Sequence, residues 1–313
     1  MKKLLTLALA VTMLFTATAC GKNNDDSSSK ANSNAAVTTV KDRNGTGYKI
    51  PDKINNIIST SPSNTEILVG LGLGDKIIAT DTFSVDIKGL KSDVLKLDMQ
   101  NLNMEKIIEL APDVLFINEI NFSGEKNKYD LLKKSGIQII NIPAAESLQN
   151  IKDDITLIST YTKTDKKGKE FVSDIDKAIK TVKDKAKENT GEAKKVYFEI
   201  GSAPYYYTCG NGTYLNEIIE MCSAKNIYAN QKSYLSNTEE SVLKGNPDII
   251  LSNVSFDGYS YKEILSRKGW NIINAVKNKK VYYVDSNATS RASQNVVQGI
   301  KDIANAINPG TFD

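Results

Sequence analysis

The sequence predicts an α/β protein of two lobes with parallel sheets, joined by one long rigid helix, with a ligand cleft between them. Three observations carry that reading. A short stretch occurs twice, as Glu105-Lys106-Ile107-Ile108-Glu109-Leu110-Ala111-Pro112-Asp113-Val114-Leu115-Phe116-Ile117-Asn118 and as Glu240-Ser241-Val242-Leu243-Lys244-Gly245-Asn246-Pro247-Asp248-Ile249-Ile250-Leu251-Ser252-Asn253. Each copy reads as a short helix, a Pro-Asp stop that proline enforces and Asp turns, and an apolar run typical of a strand buried on both faces. Around each copy, strands alternate with helices over short connections, the pattern of a parallel sheet covered by helices. Between the copies lies the longest helical pattern in the chain, about Lys166 to Glu188, with Phe171, Ile175, Ala178, Ile179, Val182 and Ala186 at helical spacing.

The first twenty residues read as a targeting segment: Lys2 and Lys3, an apolar run from Leu4 to Phe15 too short to span a membrane, then small residues up to Cys20. Ala17-Thr18-Ala19-Cys20 resembles a bacterial lipobox, with Ala17 where a leucine is usual, so Cys20 is the expected lipidation site and a plain secretory signal the alternative. Residues 21–44 form a polar, low-complexity tether running into the start of a hairpin whose strands, Val37 to Val40 and Tyr48 to Ile50, flank Asn44-Gly45.

The N-terminal lobe is expected over residues 45–162. It begins with strand Asn56 to Ser59, the polar turn Ser61 to Glu66, a helix from Glu66 to Leu73 closed by Gly74, and strand Lys76 to Thr80. An irregular stretch, Asp81 to Gln100, leads to the first copy of the repeat. A helix around Tyr129 to Ser135 then ends at Gly136 before strand Ile137 to Ile140. The connecting helix, within residues 163–190, would be roughly 35 Å long at 1.5 Å per residue, a strut spanning both lobes. The C-terminal lobe, 191–313, runs through strand Lys195 to Ile200, the aromatic Tyr205-Tyr206-Tyr207, the turn Cys209 to Gly212 and a helix through Ile218 to Met221. After the second copy come a helix of about Lys262 to Val276, strand Lys280 to Val284, a polar loop Asp285 to Ser290 and a closing helix Ala292 to Ala306. Such a pair of sheets places its ligand where their carboxyl ends face each other.

Of 313 residues none is histidine, and the formal charge of +3 gives no electrostatic case for nucleic acid. Without imidazole, the commonest general base and the commonest transition-metal ligand are both missing. A Ser-Lys pair stays open because lysines abound, yet no nucleophile-elbow pattern accompanies it. The glycines of Gly70 to Gly74 and Gly210 to Gly212 complete no dinucleotide or phosphate-loop fingerprint. No metal site is expected, nor any cofactor, and the chain reads as a binder, not an enzyme. With Cys20 acylated, Cys209 and Cys222 remain. Export permits a disulfide, but a helix between them would hold the sulfurs apart, so two unpaired, partly buried thiols are expected.

Three segments, Ile57 to Leu68, Asn103 to Asp113 and Trp270 to Val284, resemble the helical-backbone class of substrate-binding proteins, which serve ABC importers of cobalamin, ferric siderophores and haem. The resemblance runs from Thr39 onward. It implies two Rossmann-like lobes, limited closure, and delivery of a bulky chelate, a cobalamin or a ferric siderophore, to an ABC permease dimer with its ATPase, from an extracytoplasmic position anchored to the membrane by the lipid on Cys20. It implies that Glu105 and Glu240 dock onto permease arginines; the competing reading is that each merely favours its helix dipole, with Asn103 and Thr238 as caps. Ligand contacts are expected by position from Ser63, Phe83, Met99 and Asn118 in the first lobe, and from Tyr206, Tyr207, Tyr234 and Arg291 in the second, while Trp270 belongs to the core. Ser61 to Glu66 is closest to the cobalamin binders, but Met99, Asn118 and Tyr234 stand where corrin-covering tryptophans often lie, which keeps a ferric chelate open. Haem, which would need a tyrosine as axial ligand, an anchored sensor, and a cofactor-handling protein on the same scaffold are the alternatives.

Overall fold

The computed structural model describes residues 38–99, 102–118, 126–256 and 258–312. The leader, Cys20 and residues 21–37 of the tether lie outside the described residues, and the described residues form one compact unit. Strands β1 (Thr39–Lys41) and β2 (Gly47–Lys49) pair antiparallel as the hairpin expected around Asn44-Gly45, and Gly45 takes the left-handed φ of 84° that the turn needs. Asp42 fixes the loop by accepting from the Asn44 and Thr46 amides and the Tyr48 hydroxyl. Arg43 staples the hairpin onto the first lobe through Asp154 and the Pro143 carbonyl.

In the first lobe, β3 (Ile57–Ser59), β4 (Ile77–Asp81), β5 (Leu95–Leu97), β6 (Val114–Asn118) and β7 (Gln138–Ile142) form one parallel sheet in the order β5-β4-β3-β6-β7. The chain steps outward from β3 to β5 and then returns to β6 on the other side of β3. That return makes a topological switch point between the carboxyl ends of β3 and β6. Helices α1 (Pro62–Gly70), α2 (Met104–Glu109), α3 (Lys126–Lys134) and α4 (Leu148–Tyr161) connect and cover the strands.

Three details differ from the sequence reading. The polar Ser61 to Glu66 stretch does not precede the first helix but opens it, with Pro62 at the first helical position, where its missing amide costs nothing. The stretch read as irregular supplies the edge strand β5, whose three residues are too few to register as a pattern. Helix α4 was not anticipated. Ser147 caps it, and Leu148, Ile151, Ile155 and Ile158 bury one face.

The strut is α5 (Asp165–Ala186), whose Ile175, Ala178, Val182 and Ala186 are buried as expected. It packs against α4, and Gly168 permits the close approach: a Cβ there would lie 2.1 Å from the Ser159 hydroxyl. The core against α5 is continuous, running from Ile151, Ile155 and Ile158 to Ile218, Val296 and Ile300, so the apolar contacts that bury the strut also bind the lobes together.

The second lobe repeats the design with β8 (Lys195–Glu199), β9 (Tyr207–Cys209), α6 (Tyr214–Met221), β10 (Lys225–Asn226), β11 (Tyr234–Ser236), α7 (Glu239–Gly245) and β12 (Ile249–Ser252). It closes with α8 (Asn274–Lys277), β13 (Val281–Tyr283), α9 (Ser286–Ser290) and α10 (Val296–Ile307). Its parallel sheet runs β10-β8-β12-β13, with the switch point between β8 and β12, and β9 with β11 forms a small antiparallel ribbon beside it. The helix expected from Lys262 to Val276 is broken at Gly269, which sits at φ 83°, into two short 3-10 turns and α8. The polar Asp285 to Ser290 segment is a capped helical turn, Asp285 accepting from the Ala288 amide, and the closing helix starts at Val296.

The duplicated stretch becomes α2 to β6 and α7 to β12. In both, the residue before the proline is left-handed, Ala111 at φ 46° and Asn246 at φ 42°. In both, the aspartate after it clamps the start of the lobe's first sheet strand. Asp113 accepts from the Asn55 and Asn56 amides at 2.6 and 3.0 Å, and Asp248 accepts from the Lys195 amide at 2.9 Å. The repeat therefore encodes the seam between the central strands of each lobe.

Candidate functional site

The residues that follow the strands at both switch points meet across the lobes. Ser63 after β3, Asn118 at the end of β6, Ile200 after β8 and Asn253 after β12 line one cavity of about 230 Å³. Ala144, Ala145, Tyr214, Leu215, Tyr234, Thr289, Ser290 and Ala292 complete the wall. Polar groups in the wall are positioned by their neighbours. The Asn253 amide donates to the hydroxyls of Thr289 and Ser290 at 3.0 and 3.2 Å, and the Tyr214 hydroxyl donates to the Thr289 carbonyl. Burial pushes the Tyr214 and Tyr234 phenols far above their ordinary range, so both stay neutral at physiological pH.

Of the eight positions expected to touch ligand, the cavity brings together Ser63, Asn118 and Tyr234. Phe83, after β4, is 72% exposed, and Tyr207 on β9 is 39% exposed; both stand at carboxyl strand ends or beside them. Met99, just after β5, is half-buried and lies outside the cavity wall. Tyr206 packs into the second lobe, its ring stacked on buried Trp270 at 6.2 Å. Beneath it lies a charge pair that sequence reading missed. Glu199 at the end of β8, fully buried, accepts both Arg267 guanidinium nitrogens at 2.6 and 2.9 Å and the Tyr259 hydroxyl at 2.9 Å. Arg267 also lies over the Trp270 ring, 4.7 Å from its centre.

Arg291 does not point into the cavity. Its guanidinium crosses to the first lobe, with Glu66 at 2.9 Å, Asp86 at 2.8 Å and the Phe83 carbonyl at 3.2 Å. Burial alone would raise the Asp86 carboxyl, but the hydrogen bonds and charge of Arg291 outweigh it and hold Asp86 below the usual carboxylate range. Glu66, 5% exposed in α1, also accepts from Ser293 and Asn295, and its carbonyl accepts from the Gln294 side chain. The Ala292 amide donates to the Ser63 hydroxyl at 3.1 Å. On the other side a reciprocal clamp exists: Glu217 of α6 accepts from the Leu148 amide, the first residue of α4, at 2.8 Å. Each lobe thus offers a carboxylate from its first helix to the other lobe.

Glu105 and Glu240 occupy the same place in their helices, the second residue of α2 and of α7. Both are exposed, and neither carboxylate has a partner among the described residues. Asn103 and Thr238 cap these helices as expected, accepting from the Lys106 and Ser241 amides. Since α2 leads into the amino end of β6 and α7 into that of β12, both glutamates lie toward the carboxyl edge of their sheets. Cys209 and Cys222 are free and more deeply buried than expected, and burial pushes both thiols up to about 12.

Comparison with known proteins agrees with this geometry. The model of the periplasmic binding protein family matches residues 57–288. An uncharacterized ABC transporter substrate-binding lipoprotein of Bacillus subtilis (strain 168), YvrC, is 34% identical over 309 residues, 98% of this chain and 96% of its own. The vitamin B12-binding protein of Vibrio parahaemolyticus serotype O3:K6 is 24% identical over 257 residues, 80% of this chain and 89% of its own. A crystal structure of a possible iron-binding, periplasmic solute-binding protein from Staphylococcus epidermidis superposes with a TM-score of 0.68 at 31% identity, covering 82% of this chain and 99% of that one. Two α/β lobes, one strut and a cleft between facing carboxyl edges are therefore a family architecture: the chain belongs to the periplasmic binding proteins, as the substrate-binding protein of an ABC transporter.

Proposed function

We propose that this chain captures a bulky metal chelate, a cobalamin or a ferric siderophore, in the cleft outside the cell membrane and delivers it to an ABC permease dimer. The observation that carries the reading is that the cavity wall is drawn from the switch points of both sheets, so one ligand touches both lobes at once. The floor cavity of about 230 Å³ lies below the roughly 300–1,000 Å³ of ordinary small-ligand pockets, so a bulky chelate fills the floor and extends into the open mouth. Exposed Phe83, Tyr205 and Tyr207 offer apolar surface there. The vitamin B12-binding and possible iron-binding relatives support this ligand class.

In this reading Cys20 carries the lipid that anchors the protein, and residues from 21 onward tether the lobes. Glu105 and Glu240, at matched positions toward the carboxyl edges of the sheets, meet basic residues on the two-fold permease, one from each lobe. The test is a pair of measurements. Calorimetry of the purified mature protein against cyanocobalamin and a ferric trihydroxamate should give saturable binding with one of them, and Glu105→Ala with Glu240→Ala should leave that affinity unchanged while abolishing uptake in cells. Failure to bind either chelate overturns the ligand class; equal loss of binding and uptake overturns the docking role.

A further inference from the structure

We propose that the cleft selects chelates whose buried face is uncharged and rich in amide or hydroxyl groups, and that it discriminates against anionic ones. The inference rests on the chelate-binding reading and adds the charge class of the ligand.

Among the described residues, the cavity wall contains no lysine, arginine, aspartate or glutamate. Its polar groups are the amides of Asn118 and Asn253 and the hydroxyls of Ser63, Thr289, Ser290 and the two tyrosines. These donate and accept hydrogen bonds without carrying charge. The Asn253 amide nitrogen is held by Thr289 and Ser290, which turns its carbonyl oxygen into the available acceptor; that oxygen takes no hydrogen bond from any described residue. An acceptor of this kind suits an amide N–H or a hydroxyl on the ligand and repels a carboxylate or a catecholate.

The chain's three arginines could in principle supply the missing cations, but each is already neutralised by a buried carboxylate. Arg43 pairs with Asp154, Arg267 with Glu199, and Arg291 with Glu66 and Asp86. Recruiting Arg291 to a ligand would strand Glu66, buried and charged, inside the lobe interface. The phenols of Tyr214 and Tyr234, held neutral by burial, add no anion that could ligate a ferric ion. An anionic chelate entering this site would give up water around its charges and meet no compensating cation among the described residues of the cavity wall.

The test is a calorimetric panel on the purified mature protein. The probes are cyanocobalamin, a ferric trihydroxamate, a ferric triscatecholate and haem, each at low and at high salt. The uncharged or cationic pair should include the tightest ligand, at least about tenfold tighter than either anionic probe, with an affinity that salt changes by less than about twofold. A triscatecholate or haem that binds more tightly than both others, and loses affinity with salt, overturns the inference while sparing the chelate reading. Binding by none of the four overturns the chelate reading and this inference with it. Ser290→Lys supplies an independent check, since Ser290 is exposed at the cavity wall. Adding a cation there should tighten haem binding at least about fivefold and make it salt-sensitive, as a screened charge pair must be. Unchanged haem affinity in that variant overturns charge as the discriminating feature.

Discussion

Glu66 is the residue on which the two lobes converge, and Glu66→Gln is the perturbation that isolates its charge. The side chain keeps its size, so no cavity opens, but the amide cannot serve Arg291, Ser293 and Asn295 as the carboxylate does. Removing one partner of a buried ion pair costs about 3–5 kcal/mol when the other charge is left alone. Here Asp86 still holds part of the Arg291 guanidinium and its carboxylate is half exposed, so the residual charge is partly compensated. Each charged hydrogen bond contributes about 1.5–3 kcal/mol, which puts the loss for Glu66→Gln at about 2–4 kcal/mol. For a folded unit of this size that lowers the melting temperature by about 4–16 °C, at about 2–4 °C per kcal/mol. Urea denaturation gives the free energy. A double-mutant cycle with Arg291→Gln gives the coupling, expected to exceed about 1 kcal/mol because the two side chains touch. Amide exchange should speed up in Ala292 to Asn295, and around Ser63, more than in the strands. A Glu66→Gln protein within 1 kcal/mol of the parent, with effects additive to those of Arg291→Gln, would refute the lobe-fastening role.

The remaining expectations concern the repeat, the hairpin and the thiols. Asp248→Ala and Asp113→Ala should each cost about 1–2 kcal/mol by denaturation, since each frees backbone amides at the start of a central strand; Asp113 belongs at the low end because it is exposed. Burial raises the Asp154 carboxyl to about 6, outweighing Arg43. Its folded value lies above its unfolded one, so the stability it adds in protonated form is present near pH 4 and lost as pH rises through about 6. Accordingly, Asp154→Asn should gain on the parent by about 1–3 kcal/mol between those limits, and a flat difference would contradict this. Cys209 and Cys222, with thiols pushed up to about 12, should resist Ellman's reagent in the folded protein and react fully in denaturant.

Much of the fold was legible because its signals are local. Pro112-Asp113 and Pro247-Asp248 stop helices and start strands by their own chemistry, Asn103 and Thr238 cap the helices they precede, and the apolar spacing from Phe171 to Ala186 shows a strut. What stayed hidden has separate causes. Helix α4 carries an apolar stripe that lay open to reading from Leu148 to Ile158, but β5 is three residues long and is held in place only by β4. Gly269 breaks the expected helix by a backbone turn that neighbouring apolar residues mask.

The site divides in the same way. Ser63, in the first turn of α1 after β3, and Asn118, the last residue of β6, were accessible because they follow or end strands at the carboxyl edge, the position where such sheets bind ligands. Asn253 likewise follows its strand, and the repeat itself pairs it with Asn118, so the signal for it was present. Tyr214, Thr289 and Ala292 enter the wall only because the lobes meet. Arg291, singled out as a rare cation in a polar segment, turned out to be spent on Glu66, a residue 225 positions earlier. A charge rare in composition says nothing about whether a buried partner awaits it.

The central claim is that the chelate sits on the floor formed by both switch points. A cleft-blocking substitution tests it most directly: Ser290→Trp places a large side chain at an exposed position of that floor with little cost to the core. Calorimetric titration of the parent and of this variant with cyanocobalamin and a ferric trihydroxamate should give saturable, one-to-one binding of at least one chelate to the parent and a loss of at least about a hundredfold in the folded variant. Undiminished binding by the variant, or none by the parent, would contradict the account.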